Sequence, residues 1–588
     1  MDERKRSAAE QASRNRKRAQ LKKRRQRNLI IKITSFILIL AGGIGGALLY
    51  KKYSPSKEMA DLNEYYGIKQ ENQLAVVIDD ALAQTHGIVQ DGTAYVEYSV
   101  VRDFLNERFY VDHNENLLLY TLPEGTITAE VGSKDYTLQK EKHSANYALL
   151  KMEGSEAYIA LDFVQQYTNI DYRTYENPNR VIIEKGFGER TVASVKKDTQ
   201  VRVSADVKAD ILTFVSKKDK VVVIGEEGKW TKVRTQDGYI GYVKSRFVKD
   251  SETEVVSRPF DEQIYPNISK DYTINLAWHV VTNSVTNQEI LKTIADTKGN
   301  IVSYASSQYV NYAHQSNIEV WALVKDFDGA INSDEDTYEL LSHTSSRTKL
   351  ISQLIAEALK TGLDGINVDF ENISKECGEH YIQFLRELSL KCRQNGIILS
   401  VDNPVPSPYS TQYHLEEQGK IADYVIIMGY DEHYKGSYES GSVASPAFVE
   451  AGIKDALKVV PSEKLINAVP FYTRLWKEVP KTAEELEAQQ GTEAGDYGMN
   501  VTSIVYGMKG AEQVVANSGT EIVVDEATGQ NYAEWEADGG TYKIWLEDES
   551  ALETKLKLMK QYNLAGNAAW RIGFEKSTAW ELILKYVN

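Results

Sequence analysis

Cysteine is nearly absent: Cys377 and Cys392 are the only two in 588 residues. Both fall in one helical pattern, and fifteen positions along a helix span roughly 22 Å, beyond disulfide reach. Disulfide staples are excluded, and two free, half-buried thiols are expected. An exported protein that does without them fits a bacterial envelope, where large cores replace staples. No Cys/His cluster has metal-ligand spacing, and His113 stands alone in a turn-like stretch. No glycine-rich loop is placed to cradle phosphate. Neither a metal nor a cofactor is expected.

The bulk of the chain also lacks basic charge. The net charge is −16, yet residues 1–28 carry twelve Lys/Arg against Asp2, Glu3 and Glu10, a local net of +9 that leaves −25 for the remainder. That balance excludes a nucleic-acid partner for the folded part. Behind the basic tail, residues 29–50 (LIIKITSFILILAGGIGGALLY) are apolar apart from Lys32, about the length of a bilayer crossing. No Ala-x-Ala precedes Tyr50, and the apolar run is longer than a signal peptide needs. An uncleaved transmembrane helix is expected. The positive-inside rule puts the N-terminus in the cytoplasm and everything after residue 50 outside. The expected setting is a bacterial cell membrane, crossed once.

At this length three or four domains are expected. After a polar linker at 51–70, residues 71–188 read as strands, turns and short helices, for example TAYVEYSVVRDFLN and NRVIIEKG. This α+β region resembles the N-terminal stalk domain of some copper amine oxidases, which implies a spacer or a wall contact rather than catalysis. Residues 191–250 hold five short β-runs separated by turn signals at Lys217-Lys218-Asp219, Glu226-Glu227-Gly228 and Gln236-Asp237-Gly238, the pattern of a small all-β barrel. With Gly228-Lys229-Trp230 and Asp237-Gly238-Tyr239-Ile240-Gly241-Tyr242, the segment resembles a bacterial SH3-like domain. The resemblance implies a cell-wall peptide as a partner; a plain spacer is the alternative.

From residue 262 the texture changes. Eight buried-looking strands (274–281, 301–307, 318–325, 365–371, 398–405, 424–430, 465–472 and 567–573) alternate with helical patterns such as 286–296, 345–361, 378–394, 446–459 and 549–562. That is the sequence of an α/β (β/α)8 TIM barrel over 262–588. A strand- and loop-rich insertion at about 474–545 would form a small β subdomain beside a cleft. Chemistry in such barrels sits at the carboxyl ends of the strands. The polar and aromatic residues there include Trp278, Glu371, Asp402, Asn403, Met428, Tyr430, Asp431, Tyr472, Arg474 and Trp570. Aromatic faces stack on sugar rings, and carboxylates work on glycosidic bonds. The 36 Tyr against 14 Phe suit the same use. In the fourth strand Asn367, Asp369 and Glu371 alternate with Ile366, Val368 and Phe370. Polar groups aimed into a covered barrel are costly unless paired or used.

Asp364-Gly365-Ile366-Asn367-Val368-Asp369-Phe370-Glu371 resembles the Asp-Gly-x-Asp-x-Asp-x-Glu signature of family 18 glycoside hydrolases, with Asn367 in place of one Asp. Met428-Gly429-Tyr430-Asp431, Pro470-Phe471-Tyr472-Thr473-Arg474 and Trp570 resemble the family's sixth-, seventh- and eighth-strand segments. The resemblance implies an O-glycosyl hydrolase cleaving β-1,4 linkages of N-acetylglucosamine-containing polymers, peptidoglycan or chitin-like, by a substrate-assisted retaining route. It makes Glu371 the general acid, Asp369 the group orienting the substrate's acetamido arm, and Tyr430 its hydrogen-bonding partner. Trp570 would floor the sugar pocket, and Asn367, Met428, Asp431, Tyr472, Arg474 and Trp278 would bind substrate around it. Asn367 is expected to hydrogen-bond Asp369 without sharing its charge, so the upward pKa shift on Glu371 should be weaker than with three acids. The anchor and the SH3-like segment favour peptidoglycan over chitin. The alternative is a non-catalytic, chitinase-like glycan-binding protein of the cell envelope.

Overall fold

The computed structural model describes residues 2–280, 300–303, 306–326 and 334–587. The helix expected at 286–296 lies outside them. The chain divides into two compact units, one of residues 1–100 and 160–260, the other of 101–159 and 261–588.

The first unit begins with a single helix, α1 (Asp2–Tyr53), in which the apolar run 29–50 continues the basic tail without a break. Its SH3-like part has seven strands rather than five, because Gly188–Val195 and Val248–Val256 pair across its end. The strand order runs from Ile211–Val215 to Val248–Val256, so the expected small barrel is open in its pairing. Valines 195, 201, 215, 221, 233 and 243 form its core. The three turn signals read from the sequence each carry a residue at positive φ: Lys218, Gly228 and Gly238.

The second unit is built on a closed parallel barrel. Its strands are β1 (Ile274–His279), β2 (Asn300–Ser303), β3 (Val320–Lys325), β4 (Gly365–Asp369), β5 (Ile398–Pro404), β6 (Tyr424–Met428), β7 (Leu465–Pro470) and β8 (Gly566–Trp570). β8 pairs with both β7 and β1, which closes the ring. Alternation divides each strand between two cores. Leu276, Trp321, Ile398, Tyr424, Ile426, Ile466 and Ala568 fill the barrel, while Val320, Ile366, Val368, Leu399 and Val425 face the surrounding helices. The fully buried Trp321 ring occupies space that Gly365 leaves open, since a Cβ there would lie 2.7 Å from it.

The insertion is a five-stranded antiparallel sheet that also carries a helix, Met508–Ser518. The insertion is β-rich, as its sequence suggests, and the helix is an addition that the sequence reading did not include. Met508, Ala511 and Val515 are its buried residues, and their helical spacing lets them seat on the sheet.

The region expected to form one stalk domain at 71–188 is divided. Residues 101–159 cluster with the barrel, mainly as an antiparallel meander from Phe109–Asp112 to Glu141–Ser144. The reason is polar as much as apolar. Helix α2 (Thr344–Thr361) starts after His343, which offers no side-chain cap. The missing acceptors come from the meander: Asp112 Oδ2 accepts from the Thr344 N–H at 2.7 Å, and Glu115 accepts from the Ser345 N–H at 3.1 Å. Arg347, fully buried one turn on, donates to the Tyr110 hydroxyl at 3.1 Å. It also pairs at 3.2 Å with Glu387 of α3 (Gly378–Asn395). Arg108 and the buried Arg386 share Glu417, at 2.9 and 2.8 Å. Cys377 and Cys392 are both free and buried.

Asp112 acts as an N-cap supplied from outside the helix, so its loss should cost what a cap costs. Asp112→Ala is expected to lower the stability of this unit by about 1–2 kcal/mol. The urea midpoint of barrel tryptophan fluorescence checks it; an unchanged midpoint would show that water replaces the cap.

Candidate active site

β4 brings two polar side chains into the barrel, and each meets a different neighbour. Asn367 is fully buried and committed on both sides. Its Oδ1 accepts from the Trp278 indole N–H at 3.3 Å. Its amide group donates to Ser400 Oγ at 2.9 Å and to Asp402 Oδ1 at 2.9 Å. An indole nitrogen can only donate, so the orientation of the Asn367 amide is fixed. The expected hydrogen bond from Asn367 to Asp369 is not made; the register of β4 on β5 gives the amide to Asp402 instead.

Asp369 is 4% exposed and lies at the last position of β4. Burial, then the nearby Glu371 and Asp326 carboxyls, push its pKa up to about 8. Asp402 is also driven well above the usual carboxylate range, by burial first and Asp369 second, with the Asn367 hydrogen bond opposing. One oxygen of each, Asp369 Oδ1 and Asp402 Oδ2, is buried with no hydrogen-bond partner among the described residues.

Glu371 lies two residues past the end of β4 and is exposed. No strand ladder holds it there. Its peptide is gripped from two sides. Asp326, buried just beyond β3, accepts from the Glu371 N–H at 2.9 Å and from the Asn372 N–H at 3.1 Å. The Tyr413 hydroxyl donates to the Glu371 carbonyl at 3.0 Å. Gln412 adds a hydrogen bond to the Ile373 carbonyl at 3.1 Å. Neither Asp326 nor Tyr413 was singled out from the sequence. Asp326 follows the apolar run of β3 by one residue, so the rule that reads polar groups at strand ends would have found it. Tyr413 ends a short 3₁₀ helix, Thr411–Tyr413, and carried no such signal.

These residues open onto a cavity of about 640 Å³. Asp369, Glu371 and Asp402 line it on one side, with Met428, Tyr430 and Asp431 from the end of β6. Trp278 and Trp570 also line it, their rings 5.9 Å apart and tilted by 57°. The Tyr430 hydroxyl is held far above its ordinary pKa, first by burial and then by Tyr472 and the carboxyls, so it remains a donor. Tyr472, 6.1 Å from Tyr430 ring to ring, donates to Asp431 Oδ1 at 2.5 Å. Arg474 stands 3.7 Å from that same oxygen. Asp431 adopts positive φ. Of the ten residues expected from the sequence, eight line the cavity. Asn367 lies beneath it and Arg474 behind Asp431. Pro404, Val405 and Phe448 add apolar lining, and Ser407 and Asp455 add polar groups. Asp364 is remote from this mouth. It accepts from the Val320 N–H at 2.8 Å and pairs with His314 at 2.8 Å, a structural role at the start of β4. Among the described residues no group of three or more His, Cys, Asp or Glu is arranged to hold a metal.

Between the ordinary carboxylate pKa and about 8, folded Asp369 holds a proton that the unfolded chain has released. Stability therefore falls as pH rises through that window. Asp369→Asn should remove this contribution, so the variant gains on the native chain from pH 5 to pH 8.5 in urea midpoint. A constant gap across that range would show that Asp369 is ionised throughout.

Residues 327–575 match the family described as Glycosyl hydrolases family 18, and residues 197–249 match the Bacterial SH3 domain. "Uncharacterized glycosylase YvbX" of Bacillus subtilis (strain 168) is 26% identical over 300 residues, covering 49% of this chain and 81% of that protein. The "Cortical fragment-lytic enzyme" of Bacillus anthracis is 23% identical over 287 residues, covering 48% of this chain and 63% of its own. Among solved structures, the Bacillus cereus spore cortex-lytic enzyme SleL is 18% identical. That match covers 57% of this chain and 79% of the other, at a TM-score of 0.47.

Proposed function

We propose that this chain, whose residues 327–575 match the glycosyl hydrolases family 18, is a membrane-anchored hydrolase of the β-1,4-linked N-acetylglucosamine polymer of the cell wall. The observation that carries the proposal is the mouth of the barrel. An exposed carboxyl, Glu371, and a buried one, Asp369, line one cavity with two tryptophans and a tyrosine that stays protonated.

Each group has a chemical use there. Glu371 gives its proton to the glycosidic oxygen as the bond to the anomeric carbon breaks. The 2-acetamido oxygen of the same sugar attacks that carbon, in place of the second carboxylate of ordinary retaining enzymes. Asp369 accepts from the acetamido N–H and steadies the positive charge that grows on the ring formed. The Tyr430 hydroxyl donates to the acetamido oxygen. Water, deprotonated by Glu371, then opens the ring with net retention. Trp570 and Trp278 supply the apolar floor on which a sugar face packs. Met428, Asp431 and Tyr472 line the pocket around the acetamido arm, and Arg474 braces Asp431.

Two features favour peptidoglycan over free chitin. Among the described residues one helix, within Ser13–Tyr53, is long and apolar enough to cross a membrane. The basic residues before it put the N-terminus in the cytoplasm and the barrel outside. The bacterial SH3 segment at 197–249 would then meet wall peptides. The cortical fragment-lytic name of one relative points the same way.

The test is digestion of purified peptidoglycan and of chitin oligomers by the detergent-solubilised chain, with mass analysis of the new reducing ends. Glu371→Gln should lower kcat by roughly 10²–10⁴-fold. Equal cleavage by this variant would overturn the mechanism, and glycan binding without any cleavage by the native chain would make it a binding protein. Tyr413→Phe removes one of the two grips on the Glu371 peptide. It should lower kcat about tenfold with KM little changed, an interaction worth about 1.4 kcal/mol in the transition state. Steady-state kinetics on chitin oligomers read this out.

A further inference from the structure

Asn367 leaves this barrel one carboxyl short of the Asp-Gly-x-Asp-x-Asp-x-Glu pattern, and the structure contains another carboxyl beside it. Asn367 pairs in register with Ser400, and Val368 with Val401. The next positions up are Asp369 and Asp402, on adjacent strands and facing the same interior. They are 4% and 2% exposed.

The hydrogen bonds around Asp402 are directional. Trp278 fixes the Asn367 amide so that its NH₂ faces Asp402 Oδ1. That oxygen is therefore an acceptor. The other, Oδ2, is buried without a partner among the described residues, as is Asp369 Oδ1. Among the described residues, the charged and titratable groups around the pair are Glu371, Asp326 and Lys325, with the tyrosine hydroxyls of residues 381, 413 and 430. Lys325 is the one cation among them, and it acts on Asp369. Two neighbouring buried carboxyls with so little positive charge cannot both ionise. At least one of the two therefore keeps a proton.

We propose that Asp402 is a positioning residue that holds this proton for Asp369, and so replaces from β5 the carboxyl that β4 lacks at Asn367. The inference rests on the reading of the site given above. In the resting site the proton lies between Asp402 Oδ2 and Asp369. When Asp369 turns to the acetamido N–H, the proton stays on Asp402 Oδ2 and Asp369 carries the charge. One proton changes partner, no bond to carbon is involved, and the net charge of the pair is constant.

D402N is isosteric but can neither take up nor release a proton. It should lower kcat by about a hundredfold with KM within about twofold. In N367D/D402N the amide and the carboxyl exchange places. Their mutual hydrogen bond is kept and the carboxyl moves one strand over. This double variant should recover most of the lost kcat, which a purely packing role for Asp402 would not allow. Infrared spectroscopy of the native chain and of D402N near pH 6 gives a second readout that does not depend on turnover: the band of a protonated buried carboxyl should weaken in D402N. Full activity of D402N, or no recovery in the double variant together with an unchanged infrared band, would overturn the proposal. E371Q is assayed alongside. If E371Q is inactive while D402N is fully active, this inference alone fails. If E371Q is active, the underlying reading of the site fails instead.

Discussion

The cost of burying negative charge governs the mouth of this barrel. Asp369, Asp402 and Asp326 all lie below 5% exposure, on or just past three neighbouring strands, and a carboxylate in such surroundings is expensive unless it is paired or protonated. Each finds a different solution. Asp326 spends its charge on two backbone N–H groups. Asp402 takes the Asn367 amide on one oxygen. Asp369 has a raised pKa. The contents of the cavity, the orientation of Asn367 and the path of the chain past β4 all follow from these solutions.

The same logic separates the two carboxyls on β4 and its extension. Asp369 is inside the ring of strands, where burial favours its neutral form. Glu371 has left the strand and reaches solvent, so its position depends on side chains from β3 and from the segment after β5 rather than on a ladder of backbone bonds. Under the proposed mechanism, a group that approaches a large polymer gains from being outside the barrel, provided its peptide is held. Asp326 and Tyr413 hold it by its N–H and its carbonyl.

Much of this was legible in the chain. The eight barrel strands announced themselves by apolar runs at regular spacing, and their polar termini marked most of the cavity, because side-chain alternation is local. What stayed hidden depends on register or on distant contact. The partner of Asn367 follows from how β4 lies on β5, and no local pattern encodes that. Asp326 was missed by one position at the end of an apolar run. The helix at 508–518 was obscured by strands on either side and by Gly510 within it. The division of residues 71–188 was illegible for a plainer reason: the groups that draw 101–159 to the barrel lie more than two hundred residues away in sequence.

That last separation bears on how the chain is made. The backbone passes between the two units at residues 100–101, 159–160 and 260–261, so neither unit is a continuous stretch. Asp112 is synthesised 232 residues before the helix start that it caps. Until α2 exists, the meander has no barrel to pack on, and Asp112 Oδ2 lacks the Thr344 N–H from which it later accepts. Closing so long a loop is entropically slow. The first unit's second segment ends at residue 260, so its chain is complete before most of the barrel is made. In effect the catalytic unit is started early, set aside, and finished last.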